Sequence, residues 1–274
     1  MDYSFSAQFF TPKALGVNIV HVYIRRTNFH GIWEGLMAEK KNYLLTSFLS
    51  VFEGEKRGKV LDIGCGNGDY AFNLKKMGFD VLAADMDIER FQYKGQIDFK
   101  ECDVTEKLPF GDNTFDFIVF SEVVEHLKNP YDVFKELNRI LKSGGKIVLS
   151  TPNILNLKSR VRFFTEGCWE YFREIPLEHS KNPKEVIWNL HLMPWRYHEL
   201  EYLLHYSHLE IEGIYTSKYE GMGLAFIVPM MWLQLRSKER RAKKKGGVDF
   251  SRINNIMLSK NMLFGEHLIL KAVK

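Results

Sequence analysis

An open α/β sheet with helices packed on its faces is predicted by three features of the 274-residue chain. The apolar run Val60-Leu61-Asp62-Ile63 leads straight into Gly64-Cys65-Gly66-Asn67-Gly68 and then into an amphipathic stretch beginning at Asp69-Tyr70. Short apolar strand patterns recur after it and end on acids. Finally, Leu141-Lys142-Ser143-Gly144-Gly145-Lys146-Ile147-Val148-Leu149-Ser150 reads as a helix end, a Gly-Gly turn and a strand. Glycine at alternate positions lets the backbone turn with φ > 0 and lets a ligand press on main chain, while the following helix offers unpaired N–H groups. That order builds a nucleotide-type ligand site. A dinucleotide loop reads G-x-G-x-x-G, whereas this one reads G-x-G-x-G after Asp62, and an acid at a strand end suits a cationic amino group rather than a pyrophosphate.

The remaining elements follow in order. Asp80-Val81-Leu82-Ala83-Ala84-Asp85 reads as a buried strand, and Asp85 ends it 21 residues after Gly64, where an acid meets a ribose hydroxyl pair; Asp87 is its near competitor. A third strand, Ile97 to Glu101, leads to Cys102-Asp103-Val104. Leu108-Pro109-Phe110-Gly111-Asp112-Asn113-Thr114-Phe115-Asp116 turns into a fourth, Phe117-Ile118-Val119-Phe120, and Ser121-Glu122 begins the loop beyond it. Tyr197 to Leu204 reads as a helix, Leu209 to Tyr215 as strand six and His267 to Val273 as strand seven.

Taken in this order, the pieces resemble the class I S-adenosylmethionine-dependent methyltransferases, strongly over Lys59 to Asn153 and loosely beyond. The resemblance implies a Rossmann-like seven-stranded sheet, parallel with one antiparallel strand near an edge and flanked by helices. It implies an N-terminal helical extension over 1–58 and a methyltransferase domain over 59–274. Insertions follow strand five (152–195, the substrate region) and strand six (217–263). It implies S-adenosylmethionine as cofactor, held by Asp62, Gly64, Cys65, Gly66, Gly68, Asp85, Met86, Asp103, Val104 and Ser121, with Asp103 at the adenine amino group.

Composition sets the outer bounds. Apolar residues make up 45% of the chain, ample for a core. The three cysteines, Cys65, Cys102 and Cys168, have no regular spacing, which argues against a disulfide framework and a structural zinc site and for a reducing cytoplasm. Met1-Asp2-Tyr3-Ser4-Phe5 lacks the basic start of a signal peptide, and no apolar stretch reaches the 18 or so residues of a membrane span. The net charge of +4 is local: residues 236–245 hold seven basic residues and one acid, leaving the rest of the chain slightly acidic.

Two regions outside the core carry further expectations. Leu45, Phe48, Leu49 and Phe52 recur at helical spacing and suit a helix packed on the sheet. The aromatic residues Phe9, Phe10, Tyr23, Phe29, His30 and Trp33 suit either core or a lid over the site. About fifty residues separate strands six and seven, more than a hairpin needs. They include Leu224 to Leu235, apolar on every face of a helix, followed by the basic cluster. Peripheral insertion at the inner, anionic face of a membrane is one expectation; a buried helix or homodimer contact with a solvated basic loop is the other.

Methyl transfer from a sulfonium is an in-line displacement, so the protein has mainly to align the acceptor and exclude water. An oxygen acceptor must also lose its proton, to a base or with the help of a metal. Glu122-Val123-Val124-Glu125-His126 lies just after strand four, and His191 lies in the insertion opposite. His126, His191 and Glu122 are thus the candidate catalytic residues, and Glu122, Glu125, His126 and His191 are a candidate site for a divalent metal. This pattern resembles the ubiquinone-pathway O-methyltransferases and the small-RNA 2′-O-methyltransferases, whose E-x-x-E-H motif binds a metal; the second group also has a histidine after a Thr-Pro-Asn turn, as at Thr151-Pro152-Asn153. The same motif serves structural roles in other methyltransferases. The expected reaction is methyl transfer to oxygen of a small or lipid-linked acceptor of glycan or isoprenoid type. A cofactor-binding interaction protein without turnover and an RNA 2′-O-methyltransferase are the rivals. The mixed charges of Arg160, Arg162 and Arg173 with Glu166, Glu170, Glu174 and Glu178 make nucleic acid the less favoured partner.

Overall fold

The computed structural model describes residues 43–172 and 191–274, apart from 245 and 248, all within the compact unit Asn42–Lys274. The aromatic residues from Phe9 to Trp33, and Arg173, Glu174, Glu178 and His179 of the insertion, lie outside the described residues. Seven strands form one sheet in the order β3-β2-β1-β4-β5-β7-β6. They are β1 (Lys59–Ile63), β2 (Asp80–Asp85), β3 (Asp98–Glu101), β4 (Phe115–Ser121), β5 (Leu141–Pro152), β6 (Glu210–Tyr215) and β7 (His267–Val273). β7 runs antiparallel to both its neighbours, and every other pairing is parallel. β5 starts at once after its helix rather than after the Gly-Gly turn. Leu141 already pairs with Phe115, and the register then slips before Phe117↔Lys146, so the turn residues bulge out of a continuous strand.

Alternation along the strands sends successive side chains to two cores. On one face Val60, Val81, Phe117 and Val119 meet the helical residues 43–50, α1, and the helix α2 (Asp69–Lys76). Phe48 and Phe52, both wholly buried, anchor α1 there, and the Phe52 ring lies 5.6 Å from that of Phe117. The chain therefore joins the core well before residue 58, because burying two phenylalanines stabilises it by roughly 3–6 kcal/mol. On the other face Leu61, Ile63, Ile118 and Phe120 pack under the helices α3 (Pro130–Ile140) and Tyr197–Tyr206.

The helix α4 (Leu157–Glu166) follows β5, and α5 is the helix Tyr197–Tyr206. Between β6 and β7 come a 3₁₀ turn, Met222–Ile227, and the helices α6 (Val228–Lys244), α7 (Ser251–Met257) and α8 (Lys260–Phe264). The basic cluster is thus helical up to Lys244, not a loop. No helix among the described residues is long and apolar enough to cross a membrane.

Candidate active site

The strand order places the carboxyl ends of β1, β2 and β4 side by side, and the glycine loop leaves β1 at that edge. Gly64, Gly66 and Gly68 all have left-handed backbone, with φ of 72°, 54° and 87°. Their reasons differ. A methyl group at Gly64 would sit 2.5 Å from the side chain of Val123, and one at Gly68 would sit 2.4 Å from the ring of Phe91. At Gly66 the nearest atom would be Arg90 Nη2 at 3.9 Å. Two glycines therefore admit neighbouring protein, while the middle one fronts open space where a ligand can lie on the main chain.

Asp85 closes β2 and ties this loop down: its Oδ2 accepts from Gly66 N–H (2.8 Å) and its Oδ1 from Asp87 N–H (3.0 Å). Asp62 sits lower. Nearly fully buried, it accepts the N–H of Ala71 in α2 (3.0 Å), so it fastens β1 to the helix and does not open to solvent. Burial pushes its carboxyl up to about 7, with Asp85 and Asp69 adding repulsion against the opposing Ala71 bond. Cys65 is also buried, which pushes its thiol up. Met86 is exposed beyond β2, and exposed Asp103, beyond β3, accepts from the N–H and hydroxyl of Thr105 (2.8 and 2.7 Å) beside half-buried Val104. Ser121 ends β4 with its hydroxyl 2.8 Å from that of Ser150. The open cradle over Gly66 and the acids ending β2 and following β3 form a lining into which S-adenosylmethionine would fit, with acceptors for its hydroxyl and amino groups and bare main chain between.

The loop after β4 forms the facing wall. Glu122 has φ 54°, a left-handed backbone rare for a side chain of its size, held by its N–H on Ser150 O (3.0 Å) and by Ser150 Oγ donating to its Oε1 (2.8 Å). Glu125, in the turn Val124–His126, is completely buried, and among the described residues neither carboxyl oxygen has a hydrogen-bond partner. Burial, then the charge of Glu122, raises its pKa well above the ordinary carboxyl value, which favours the protonated form.

Three hydrogen bonds bring His191 to this turn although 65 residues separate it from His126. Leu192 and Met193 N–H both donate to Glu125 O (2.9 and 3.1 Å), and Trp195 Nε1 donates to Val124 O (3.1 Å). The rings of His126 and His191 then meet edge to face, 4.9 Å between centroids, and the Phe172 ring lies 5.3 Å from that of His191. His191 Nδ1 is buried without a hydrogen-bond partner among the described residues. Burial first, and then the neighbouring imidazole, lowers the His191 pKa.

Of the four expected metal ligands, Glu125, His126 and His191 come together, each offering a donor atom within 4.8 Å of the others. Glu122 turns elsewhere, to Ser150 and to His267, whose Nε2 is 3.9 Å from its Oε2. His267 is a site residue that pattern reading passes over. It opens β7, is nearly buried, and bonds Ser217 Oγ through Nδ1 (2.8 Å) while Glu266 and Tyr171 bond each other alongside. Its only signal in the sequence is an imidazole heading an otherwise apolar strand. The Thr151-Pro152-Asn153 turn plays a structural part, because Asn153 Nδ2 donates to Met262 O and Gly265 O (3.0 and 2.9 Å), which fixes the start of β7 beside the end of β5.

A family model described as "Methyltransferase domain" matches residues 36–208, more than half of the chain. The chain belongs to that methyltransferase family. Its fold is that of the class I S-adenosylmethionine-dependent enzymes: a SAM-dependent methyltransferase from Archaeoglobus fulgidus superposes with a TM-score of 0.55 at 18% identity, covering 90% of this chain and all of that one. An uncharacterized protein of Methanocaldococcus jannaschii is 37% identical over 112 residues, covering 40% of this chain and 47% of its own. A ubiquinone biosynthesis O-methyltransferase of Aliivibrio fischeri is 28% identical over 159 residues, covering 53% of this chain and 65% of its own. The chain thus spans about half to two-thirds of the length of these curated relatives.

Glu125 also makes the stability of this methyltransferase pH-dependent. Its folded pKa lies above its unfolded value, so its contribution is present below about 4.5 and is lost as pH rises, since the unfolded chain releases the proton first. Glu125→Gln removes that titration. Its stability relative to the parent should climb as pH rises above about 4.5 in urea denaturation, and a pH-independent difference would mean that Glu125 ionises in the fold as it does in the unfolded chain.

Proposed function

We propose that this methyltransferase moves a methyl group to a hydroxyl oxygen of a small or lipid-linked acceptor of glycan or isoprenoid type, with His191 receiving the hydroxyl proton. One observation carries the reading: a half-buried imidazole, its pKa lowered, stands beside the turn that follows β4, with its buried Nδ1 unpaired among the described residues and a second imidazole 4.9 Å away. A neutral imidazole is a base at physiological pH. Bound S-adenosylmethionine supplies a methyl group made electrophilic by its sulfonium. The chain holds the acceptor oxygen in line with it while His191 takes the proton as the new C–O bond forms, and the C–S electron pair stays with sulfur. Glu122 and His267 flank the acceptor side. The Aliivibrio relative, an O-methyltransferase by name, supports oxygen as the acceptor atom.

A metal-assisted form of the same reaction is favoured by the clustered donors of Glu125, His126 and His191, which would suit a divalent ion once Glu125 gave up its proton. RNA is less well supported, because Arg162 is engaged by Glu166 and Glu170 (both 2.9 Å) and Arg160 by Leu155 O (2.6 Å), so these arginines do not form a phosphate track. A cytoplasmic setting against the inner membrane face fits a lipid-linked acceptor and three unpaired cysteines.

The test is incubation of the protein with methyl-labelled S-adenosylmethionine and fractionated cell extract, followed by fragmentation mass spectrometry. A label on oxygen of a small or lipid fraction is expected. A methyl on nitrogen or carbon would overturn the acceptor, and tight cofactor binding without product in any fraction would favour a cofactor-holding protein. Activity abolished by chelator and restored by Mg²⁺, Mn²⁺ or Zn²⁺ would select the metal-assisted form.

A further inference from the structure

Helix α6 carries a surface that methyl transfer does not use. Its inner face is set by Val228 and Met231, which pack with Leu224 against Leu157, Leu263 and Phe264, and by Glu239, which binds Arg236, Lys243 and Asn254. At 3.6 residues per turn, the opposite side runs through positions 230, 233, 237, 240, 241 and 244, continuing the line of Phe226 in the preceding turn. The stripe changes character halfway along. Phe226, Met230 and Leu233 are 75%, 58% and 62% exposed, and Arg240, Arg241 and Lys244 follow them.

The charges on this stripe are not spent on neighbouring acids. Arg236 and Lys243 are neutralised by Glu239 and Asp249, but among the described residues Arg240 and Lys244 have no acidic partner, and Arg241 donates only to the neutral hydroxyl of Ser237. Beside the apolar half, Phe164 is 90% exposed, one turn along α4 from Arg160, whose Nη1 touches Met231 Sδ at 3.7 Å. Single exposed apolar residues need no explanation; a line of them continued by unpaired cations does.

We propose that this stripe docks the enzyme on an anionic lipid bilayer, Phe226, Met230 and Leu233 entering the headgroup boundary while Arg240, Arg241 and Lys244 lie over lipid phosphates. A bilayer satisfies both halves together, since its boundary is apolar below and anionic at the surface. A second copy of the chain satisfies them poorly. A two-fold contact through the stripe would set cations against cations, or Leu233 against Arg240. The position also suits the proposed acceptor: Leu263 and Phe264, on which the first turn of α6 packs, lead through Gly265 to Glu266 and His267 at the mouth. Only the route of a lipid-linked acceptor to the mouth rests on the proposed function; the docking does not.

The experiment is sedimentation of the full-length protein with vesicles of phosphatidylcholine alone, or with about one-third phosphatidylglycerol to supply anionic charge. The protein should pellet with the anionic vesicles, stay in solution with the neutral ones, and be released as salt shortens the Debye length from about 10 Å to about 3 Å. The pair Met230→Asp/Leu233→Asp and the triple Arg240→Glu/Arg241→Glu/Lys244→Glu should each lower binding by at least about tenfold. S-Adenosylmethionine affinity in each variant reports that the fold is kept. Equal pelleting with both vesicle types, or binding unchanged in either variant, would overturn the proposal. A concentration-dependent dimer that Met230→Asp/Leu233→Asp dissolves, with no vesicle binding, would assign the stripe to a second copy. A methyl group found on a water-soluble acceptor would end the lipid-linked reading and leave the vesicle result standing.

Discussion

His191→Ala should lower kcat by roughly 10²–10⁴-fold, the usual worth of a positioned general base, while S-adenosylmethionine affinity stays within about twofold of the parent. The separation is expected because His191 reaches the mouth through the N–H groups of Leu192 and Met193, which a side-chain truncation leaves on Glu125 O. The pH profile distinguishes a base from packing. Burial and His126 lower the His191 pKa, so the neutral, working form persists below the ordinary imidazole value of about 6.5. The acid limb of kcat should therefore fall below that value in the parent and disappear in the residual activity of the variant. Stability follows the same sign: with the folded pKa depressed, the contribution of His191 is whole above its unfolded pKa and is lost as pH falls. An alanine variant with full kcat and an unmoved acid limb would return His191 to packing and leave His126 or Glu122 as proton acceptor.

Gly66→Val should abolish measurable S-adenosylmethionine binding in calorimetry while the protein still folds. Its Cβ would enter the open space over the loop, where Arg90 Nη2 at 3.9 Å is the nearest atom, although a branched residue at φ 54° adds local strain of about 1–2 kcal/mol. Gly68→Ala should do the reverse. The new methyl would press on Phe91, and left-handed strain plus overpacking should cost about 2–5 kcal/mol of stability in urea denaturation. Asp85→Ala should weaken cofactor binding by about 1–3 kcal/mol through loss of a charged hydrogen-bond acceptor and of its hold on Gly66 N–H. Undiminished affinity in Gly66→Val would remove the cradle from the site.

The strands and glycine loop of the candidate cofactor half were legible in the sequence because they are local. A strand, an alternating glycine loop and a helix are contiguous from Lys59 to Lys76, and Asp85 and Asp103 are located by counting from strand ends. Asp62 shows where counting stops. Its place at the strand end suggests a ligand, but parity within β1 aims it under the loop, where Ala71 receives it. The acceptor half was less legible. The E-x-x-E-H run is visible as a string, yet string order does not say that Glu125 is buried while Glu122 faces His267.

By itself, then, the sequence determined the sheet, its glycine loop and the helix α5, because apolar periodicity and glycine placement act within a few residues. It also determined that an apolar run meets a basic cluster after strand six. Tertiary structure alone decided that His191 meets His126, that His267 joins Glu122, and that the apolar and basic runs share one outward line on α6. Each of these depends on contacts between segments far apart in the chain. A residue's own neighbours in sequence cannot specify which distant backbone N–H or which opposing side chain will meet it, and the pKa of a buried group is set by that company.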